Sequence, residues 1–209
     1  LGLSVAVVEK STLQPFDKEQ PFDLRVSAIS LGSQYLLEQL EAWPTISDGR
    51  LCPYKRLGVW ESKASYTEFS AEEISQPYLG HIIENRLIQL ALWKRFEMLP
   101  NITVFSNENL KGIEEHTDGV DILLSNTTIK AKLLIGADGA NSQVRKLTGI
   151  GITGWDYQQS AMLINVKTEA SQQDITWQQF QKNGPVALLP LPGNNASLVW
   201  YDTRDNIVR

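Results

Sequence analysis

The sequence predicts a mixed α/β chain, α+β overall, in which a partial Rossmann-like nucleotide-binding domain is interleaved with a domain built on an antiparallel β-sheet. Three observations predict it. The β-branched run Ser4-Val5-Ala6-Val7-Val8 reads as a strand and ends in Glu9. The apolar run Lys132-Leu133-Leu134-Ile135 leads into Gly136-Ala137-Asp138-Gly139-Ala140-Asn141-Ser142-Gln143-Val144-Arg145, which reads as buried strand, tight glycine turn and helix start. Short alternating apolar segments in 53–70 and 161–201 read as antiparallel strands. The expected division places 1–50 with 80–152 in the nucleotide domain, and 51–79 with 153–209 in the sheet domain.

Taken in order, the strand Ser4 to Val8 ends in an acid, the residue type that binds a ribose hydroxyl at the end of the second strand of a Rossmann unit. Glutamate at a strand end is also common in its own right. Arg25-Val26-Ser27-Ala28-Ile29-Ser30 leads into a helix whose Leu36, Leu37 and Leu40 form an apolar stripe expected in the core, with Trp43-Pro44 as its end. Arg56 to Trp60 and Ser65 to Phe69 are expected to pair as antiparallel strands. Helical spacing resumes from Ile82 to Phe96, with Ile83, Leu87, Leu90 and Ala91 on one face, and Pro100-Asn101 stops it before a strand at Ile102 to Phe105. Three further strands, Ile113 to His116, Val120 to Leu124 and Ile129 to Ile135, form a meander that feeds the glycine turn.

In that turn, two glycines flanking Asp138 let the backbone approach a ligand, Asn141 or Ser142 can cap the new helix, and a helix N-terminus favours anionic oxygens. An ordinary strand-to-helix turn with a surface aspartate fits the local pattern about equally well. Gly149-Ile150-Gly151-Ile152-Thr153-Gly154 matches G-x-G-x-x-G letter for letter but is rejected as a dinucleotide loop, because it follows a helix and leads to the strand Ala161 to Val166. Trp177 to Phe180, Val186 to Pro190 and Ser197 to Tyr201 complete the strands.

Of the 209 residues, 42% are hydrophobic and 21% charged, a globular composition, and the net charge of -5 argues against a nucleic-acid partner. One cysteine, Cys52, excludes an internal disulfide framework, and with only His81 and His116 beside it no metal-ligand spacing is seen. No apolar run approaches the ~20 residues that span a bilayer. A soluble, cytoplasmic protein is expected. From the opening Leu1-Gly2-Leu3 and the stop just after a strand, a fragment of a longer protein is expected.

Glu9 after a strand, Arg25 to Ile29, the helix following Glu84-Asn85 and Gly136 to Arg145, in that order, resemble the FAD-dependent aromatic hydroxylases of the para-hydroxybenzoate hydroxylase fold. Pro53-Tyr54-Lys55-Arg56-Leu57, Thr176 to Phe180 and Ala196 to Asp202 extend the resemblance to the ubiquinone-biosynthesis hydroxylases, most closely to those acting on a polyprenyl methoxy-benzoquinol. The resemblance implies a cofactor set of Glu9 (adenosine ribose), Arg25 and Ser27 (along the cofactor near its phosphates), Asn85, Asp138 and Gly139 (by the ribityl or pyrophosphate region), and Arg145. Arg145 reads equally as a solvated cation, and Asn85 stands where many relatives carry a cofactor-contacting arginine. It assigns no catalytic side chain and no metal.

The implied chemistry uses FAD, NAD(P)H and O2: reduced flavin forms a C4a-hydroperoxide whose distal oxygen goes to a polyprenyl quinol or phenol ring. Trp60, Trp177 and Trp200 are candidates for lining the pocket, although aromatics in a half-buried sheet are more often core. Other ubiquinone-biosynthesis proteins are conceivable partners, with at most peripheral membrane contact. The family's first strand with its G-x-G-x-x-G loop, and its second Gly-Asp motif, are expected outside residues 1–209, so the fragment is expected to bind FAD poorly. The competing reading is a non-catalytic scaffold module with vestigial flavin-binding residues.

Overall fold

A computed structural model of the chain describes residues 2–208. In chain order the elements are β1 (Val5–Glu9), β2 (Val26–Ser30), α1 (Leu31–Gln39), α2 (Trp43–Ser47), β3 (Leu51–Tyr54), β4 (Arg56–Trp60), β5 (Thr67–Ser70), β6 (Gly80–Glu84), α3 (Asn85–Met98), β7 (Ile102–Ser106), β8 (Leu110–His116), β9 (Gly119–Leu124), β10 (Thr128–Ala131), α4 (Gln143–Leu147), β11 (Gln159–Lys167), β12 (Ile175–Gln179), β13 (Val186–Pro190), β14 (Asn195–Thr203) and α5 (Arg204–Ile207). They divide into two compact units: the chain up to Thr12 with Leu99–Trp155, and Leu13–Met98 with the chain from Asp156 onward. These units are cut at other places than the cofactor and substrate domains read from the sequence.

In the first unit, β1 and β7 pair in parallel, Val5 opposite Ile102 through Glu9 opposite Ser106. The antiparallel meander β8-β9-β10 packs Val120, Ile122 and Leu124, alternate residues of β9, into one core with Phe105, Ile113, Ile129 and Leu134. That alternation is the period of a strand with one face covered.

The second unit is layered around the small sheet β2-β6-β3. One face carries Ile83 and Ile29 against Leu37 of α1, Ile46 of α2, and Leu87 and Ala91 of α3. The other carries Ile82, Cys52 and Tyr54 against Leu189 of β13, with Leu191 just beyond it. Neighbouring residues Ile82 and Ile83 therefore serve opposite layers, as successive side chains of a strand must. The large sheet runs β11-β14-β13-β12-β4-β5, antiparallel except where β12 lies parallel to β4.

Four sequence expectations are corrected here. Ile82 and Ile83 belong to β6, and the helix starts only at Asn85. All five residues of β6 are buried, so this central strand, covered on both faces, shows no alternation, and Ile82-Ile83 merge with the apolar spacing of the following helix. Of the stripe Leu36, Leu37 and Leu40, only Leu37 is buried, while Leu36 is 59% and Leu40 47% exposed. The inward face of α1 is set by Gln34 and Leu37, three apart, because buried Gln34 is held by Glu38 at 2.8 Å and Tyr78 at 3.2 Å. Trp43-Pro44 opens α2 instead of ending α1, with proline near the first turn where its missing N–H costs nothing.

The fourth correction concerns Lys132-Leu133-Leu134-Ile135. β10 ends at Ala131, and the four residues run on as irregular chain. Leu134 packs into the meander core, but Leu133 is 74% and Ile135 75% exposed. Apolar composition promotes a strand only where a neighbouring strand takes its hydrogen bonds, and among the described residues none pairs with this segment.

Candidate cofactor site

Glu9, Asp138, Gly139 and Arg145 fall in the first unit; Arg25, Ser27 and Asn85 fall in the second. Glu9 closes β1, and its Oε1 accepts from the Ser11 backbone N–H at 2.9 Å. Among the described residues no hydrogen bond or ion pair joins Glu9 to the Asp138 turn.

The glycine turn is built around Asp138. Its Oδ1 accepts from the Ser142 hydroxyl, and its Oδ2 from the backbone N–H groups of Gln143 at 2.6 Å and Val144 at 3.2 Å. Ser142 is the N-cap of α4, accepting from Arg145 N–H at 3.0 Å. The Ser142 hydroxyl, joined by those two backbone donors, holds the Asp138 carboxyl below the usual carboxylate range, against a smaller opposing effect of desolvation. The amides that a phosphate would seek at this short helix are thus already engaged by the chain's own carboxylate. Gly139 adopts φ +79°, the left-handed region that glycine enters without a Cβ clash, and leaves open space where a side chain would stand. Arg145 is half-buried, and its Nη1 donates to Ala140 O at 3.1 Å across the turn.

In the second unit, the β2–β6 ladder sets Ser27 opposite Ile83 and Val26 opposite Glu84. Asn85 begins α3; its N–H donates to Arg25 O at 3.0 Å and its Oδ1 accepts from the Ser27 hydroxyl at 2.7 Å. Arg25, Ser27 and Asn85 are therefore one local group. The Arg25 side chain is exposed, with no hydrogen-bond partner among the described residues.

Sequence reasoning missed the charged group beneath it. Glu84 is 1% exposed and ion-paired with Arg50 at 2.8 Å, and its Oε1 also accepts from Asp23 N–H at 2.8 Å. Arg86 pairs with Asp23 at 2.7 Å. The only sequence trace is three consecutive polar residues, Glu84-Asn85-Arg86, after an apolar strand. Pairing also gathers Glu114 and His116 of β8 and Asp121 of β9, with ligand-type atoms within 4.8 Å of one another. Glu114 and Asp121 face each other directly, and Lys130 Nζ, 3.1 Å from Asp121, supplies the opposite charge.

On the large sheet, Trp60 and Trp177 pack at 5.3 Å between ring centroids, and Trp60 and Tyr66 at 5.8 Å. Trp177 also lines a recess of about 120 Å³ with Ile175, Leu188 and Pro190. Trp200 is 40% exposed.

Two of the side-chain types are ones that recur at nucleotides, each within its own unit. An exposed guanidinium at Arg25 can meet a phosphate, and the Glu9 carboxylate can accept from ribose hydroxyls. Comparison with known proteins decides the family: the family described as FAD binding domain matches residues 50–206. The chain belongs to that family. It is 44% identical over 203 residues to 3-demethoxyubiquinol 3-hydroxylase of Escherichia coli (strain K12), covering 97% of this chain and 52% of that protein. It is 34% identical over 212 residues to ubiquinone hydroxylase UbiL of Rhodospirillum rubrum, covering 97% and 49%. It is 36% identical over 203 residues to the mitochondrial ubiquinone biosynthesis monooxygenase COQ6 of Rattus norvegicus, covering 91% and 42%.

The chain thus spans about half the length of the curated relatives it matches. Among solved structures, p-nitrophenol 4-monooxygenase PnpA of Pseudomonas putida DLL-E4 superposes with a TM-score of 0.75 at 15% identity, covering 98% of this chain and 53% of that one. PqsL of Pseudomonas aeruginosa gives 0.77 at 15%, covering 98% and 55%. These likenesses establish the fold of this FAD binding domain chain. Among the described residues, no helix of this family member is long and apolar enough to cross a membrane.

Proposed function

We propose that this chain belongs to a flavin-dependent monooxygenase that hydroxylates the aromatic ring of a polyprenyl benzoquinol intermediate in ubiquinone biosynthesis, using NAD(P)H and O2. The observation that carries the reading is the 44% identity over 97% of the chain to a 3-demethoxyubiquinol 3-hydroxylase. Residues 1–50 with 80–152 serve the cofactor, and 51–79 with 153–209 carry the substrate sheet. The protein works in the cytoplasm, and the prenyl tail of the substrate calls for peripheral contact with a membrane and exchange with neighbouring enzymes of the pathway.

Bound FAD, reduced by NAD(P)H, supplies the activated oxygen for an electron-rich ring. What falls to this chain is binding, orientation and exclusion of water. Arg25 offers its guanidinium to a phosphate, and Asn85 and Ser27 hold the backbone that presents it. Glu9 accepts from ribose hydroxyls. The Asp138 turn, closed on itself through Ser142, presents the Gly139 backbone with no side chain in the way of a close approach. The large sheet with Trp60 and Trp177 forms the wall that keeps the substrate ring in place and water out.

The test is an absorption spectrum with FAD titration, on this chain and on the protein extended to the length of its relatives. A yellow extended protein that oxidises NAD(P)H faster with a demethoxyubiquinol analogue supports the reading. An extended protein that binds no flavin overturns it in favour of a scaffold role.

A further inference from the structure

Arg50 has every donor occupied. Its Nε and Nη2 donate to the two carboxylate oxygens of Glu84 at 3.1 and 2.8 Å, its Nη1 to Lys18 O at 3.0 Å and Gln20 O at 2.5 Å, and its Nη2 also reaches Pro21 O at 3.5 Å. Those are the five N–H groups of a guanidinium. Its plane is also covered by Phe16, 5.0 Å to the ring centroid, and by Phe22, 4.2 Å. A largely covered arginine divided between the 15–24 loop and the buried Glu84 is a costly way merely to fill space, since taking both charges of an ion pair out of water is unfavourable unless geometry and hydrogen bonds compensate.

The loop so held ends at Arg25, and polar side chains from β6, α3 and β11 hold Phe22 and Asp23 just ahead of it. Glu84 accepts the Asp23 N–H at 2.8 Å, Arg86 takes the Asp23 carboxylate at 2.7 Å, and Asn165 of β11 donates to Phe22 O at 2.7 Å. Asn85 N–H then fixes Arg25 O, and Val26 enters the ladder opposite Glu84. Arg25 is thus an exposed cation on a backbone pinned at Asp23, two residues before it, at its own carbonyl and from Val26 onward.

We infer that Arg50, acting through its ion pair with Glu84, is a positioning residue that pre-organises Arg25 for an anionic cofactor phosphate. The inference rests on the cofactor reading of Arg25 given above. Pre-organisation raises affinity by removing the cost of ordering the loop at the moment of binding. Arg50 itself touches no ligand, so removing it acts only while Arg25 is present.

The experiment is a double-mutant cycle on the full-length flavoprotein, reading the FAD dissociation constant by flavin fluorescence together with thermal unfolding. Arg50→Met is expected to weaken FAD binding about tenfold in the Arg25 protein and to change it less than about twofold in the Arg25→Ala background, the signature of residues coupled in one network. Glu84→Gln, which keeps the acceptor for Asp23 N–H while removing the charge, is expected to follow Arg50→Met. Equal losses in both backgrounds, or no loss in either, overturn the inference. If Arg25→Ala alone leaves FAD affinity unchanged, the cofactor reading of Arg25 fails instead. Should Arg50→Met not fold, Arg50→Lys, which retains the charge without the fork, is read in the same cycle with the same expectations.

Discussion

The Ser142 hydroxyl donates to the Asp138 carboxylate while its oxygen accepts the Arg145 backbone N–H at 3.0 Å, so one buried side chain closes the glycine turn and caps the helix that follows it. Loss of an N-cap hydroxyl costs about 0.5–2 kcal/mol. Ser142→Ala is expected to lose an amount in that range by urea denaturation, and Ser142→Asp at least as much at neutral pH, since aspartate caps but cannot donate to Asp138 and sets a second carboxylate against it. A loss below about 0.3 kcal/mol for the alanine would show that the cap contributes nothing.

The same bond carries a pH signature. The Asp138 carboxyl lies below the usual carboxylate range in the folded chain, chiefly through Ser142. A depressed folded value means that its contribution is present above the unfolded carboxylate range and is lost as pH falls through the lowered value. Carbon-detected NMR titration of Asp138 is expected to show the low midpoint, and Ser142→Ala to move it upward. An unchanged midpoint in the variant would assign the shift to the backbone amides alone.

Ile82 and Leu133 read alike in the sequence and differ in weight. Ile82 is 1% exposed between two sheets and Leu133 is 74% exposed. Ile82→Ala is expected to cost about 2–5 kcal/mol, and Leu133→Ser to stay within about 0.5 kcal/mol, both by chemical denaturation. Comparable losses would mean that Leu133 is covered in solution.

Cys52 is 1% exposed, and burial pushes its thiol up to about 11, with a Gln172 hydrogen bond at 3.1 Å opposing that effect. The thiolate is the reactive form. At pH 8 the native chain is expected to resist a thiol reagent for hours and to react within minutes in denaturant. Rapid native labelling would show that the small sheet opens locally.

Local pattern carried far in this chain. The strand ending in Glu9, the strands of 56–60 and its neighbour and a helix cap at Asn141 or Ser142 were legible, because each depends on residues close in sequence, and the structure settles the cap on Ser142. Ile82-Ile83 misread as helix because a strand covered on both faces loses its alternation, and Leu36 misread as core because Gln34 sets the inward face of α1.

The sequence by itself carried the resemblance to the family and the mixed α/β class, and the resemblance implied the set Glu9, Arg25, Ser27, Asn85, Asp138, Gly139 and Arg145, since side-chain type, glycine placement and order along the chain are properties of the string. Tertiary structure alone decided that Glu84 and Arg50, 34 residues apart, bury their charges together, and that β4 lies parallel to β12 although about 120 residues separate them. It also decided that Asp138 spends its carboxylate on its own helix. Ion pairs, strand partners and burial depend on which distant groups exclude water together, and no local pattern encodes that.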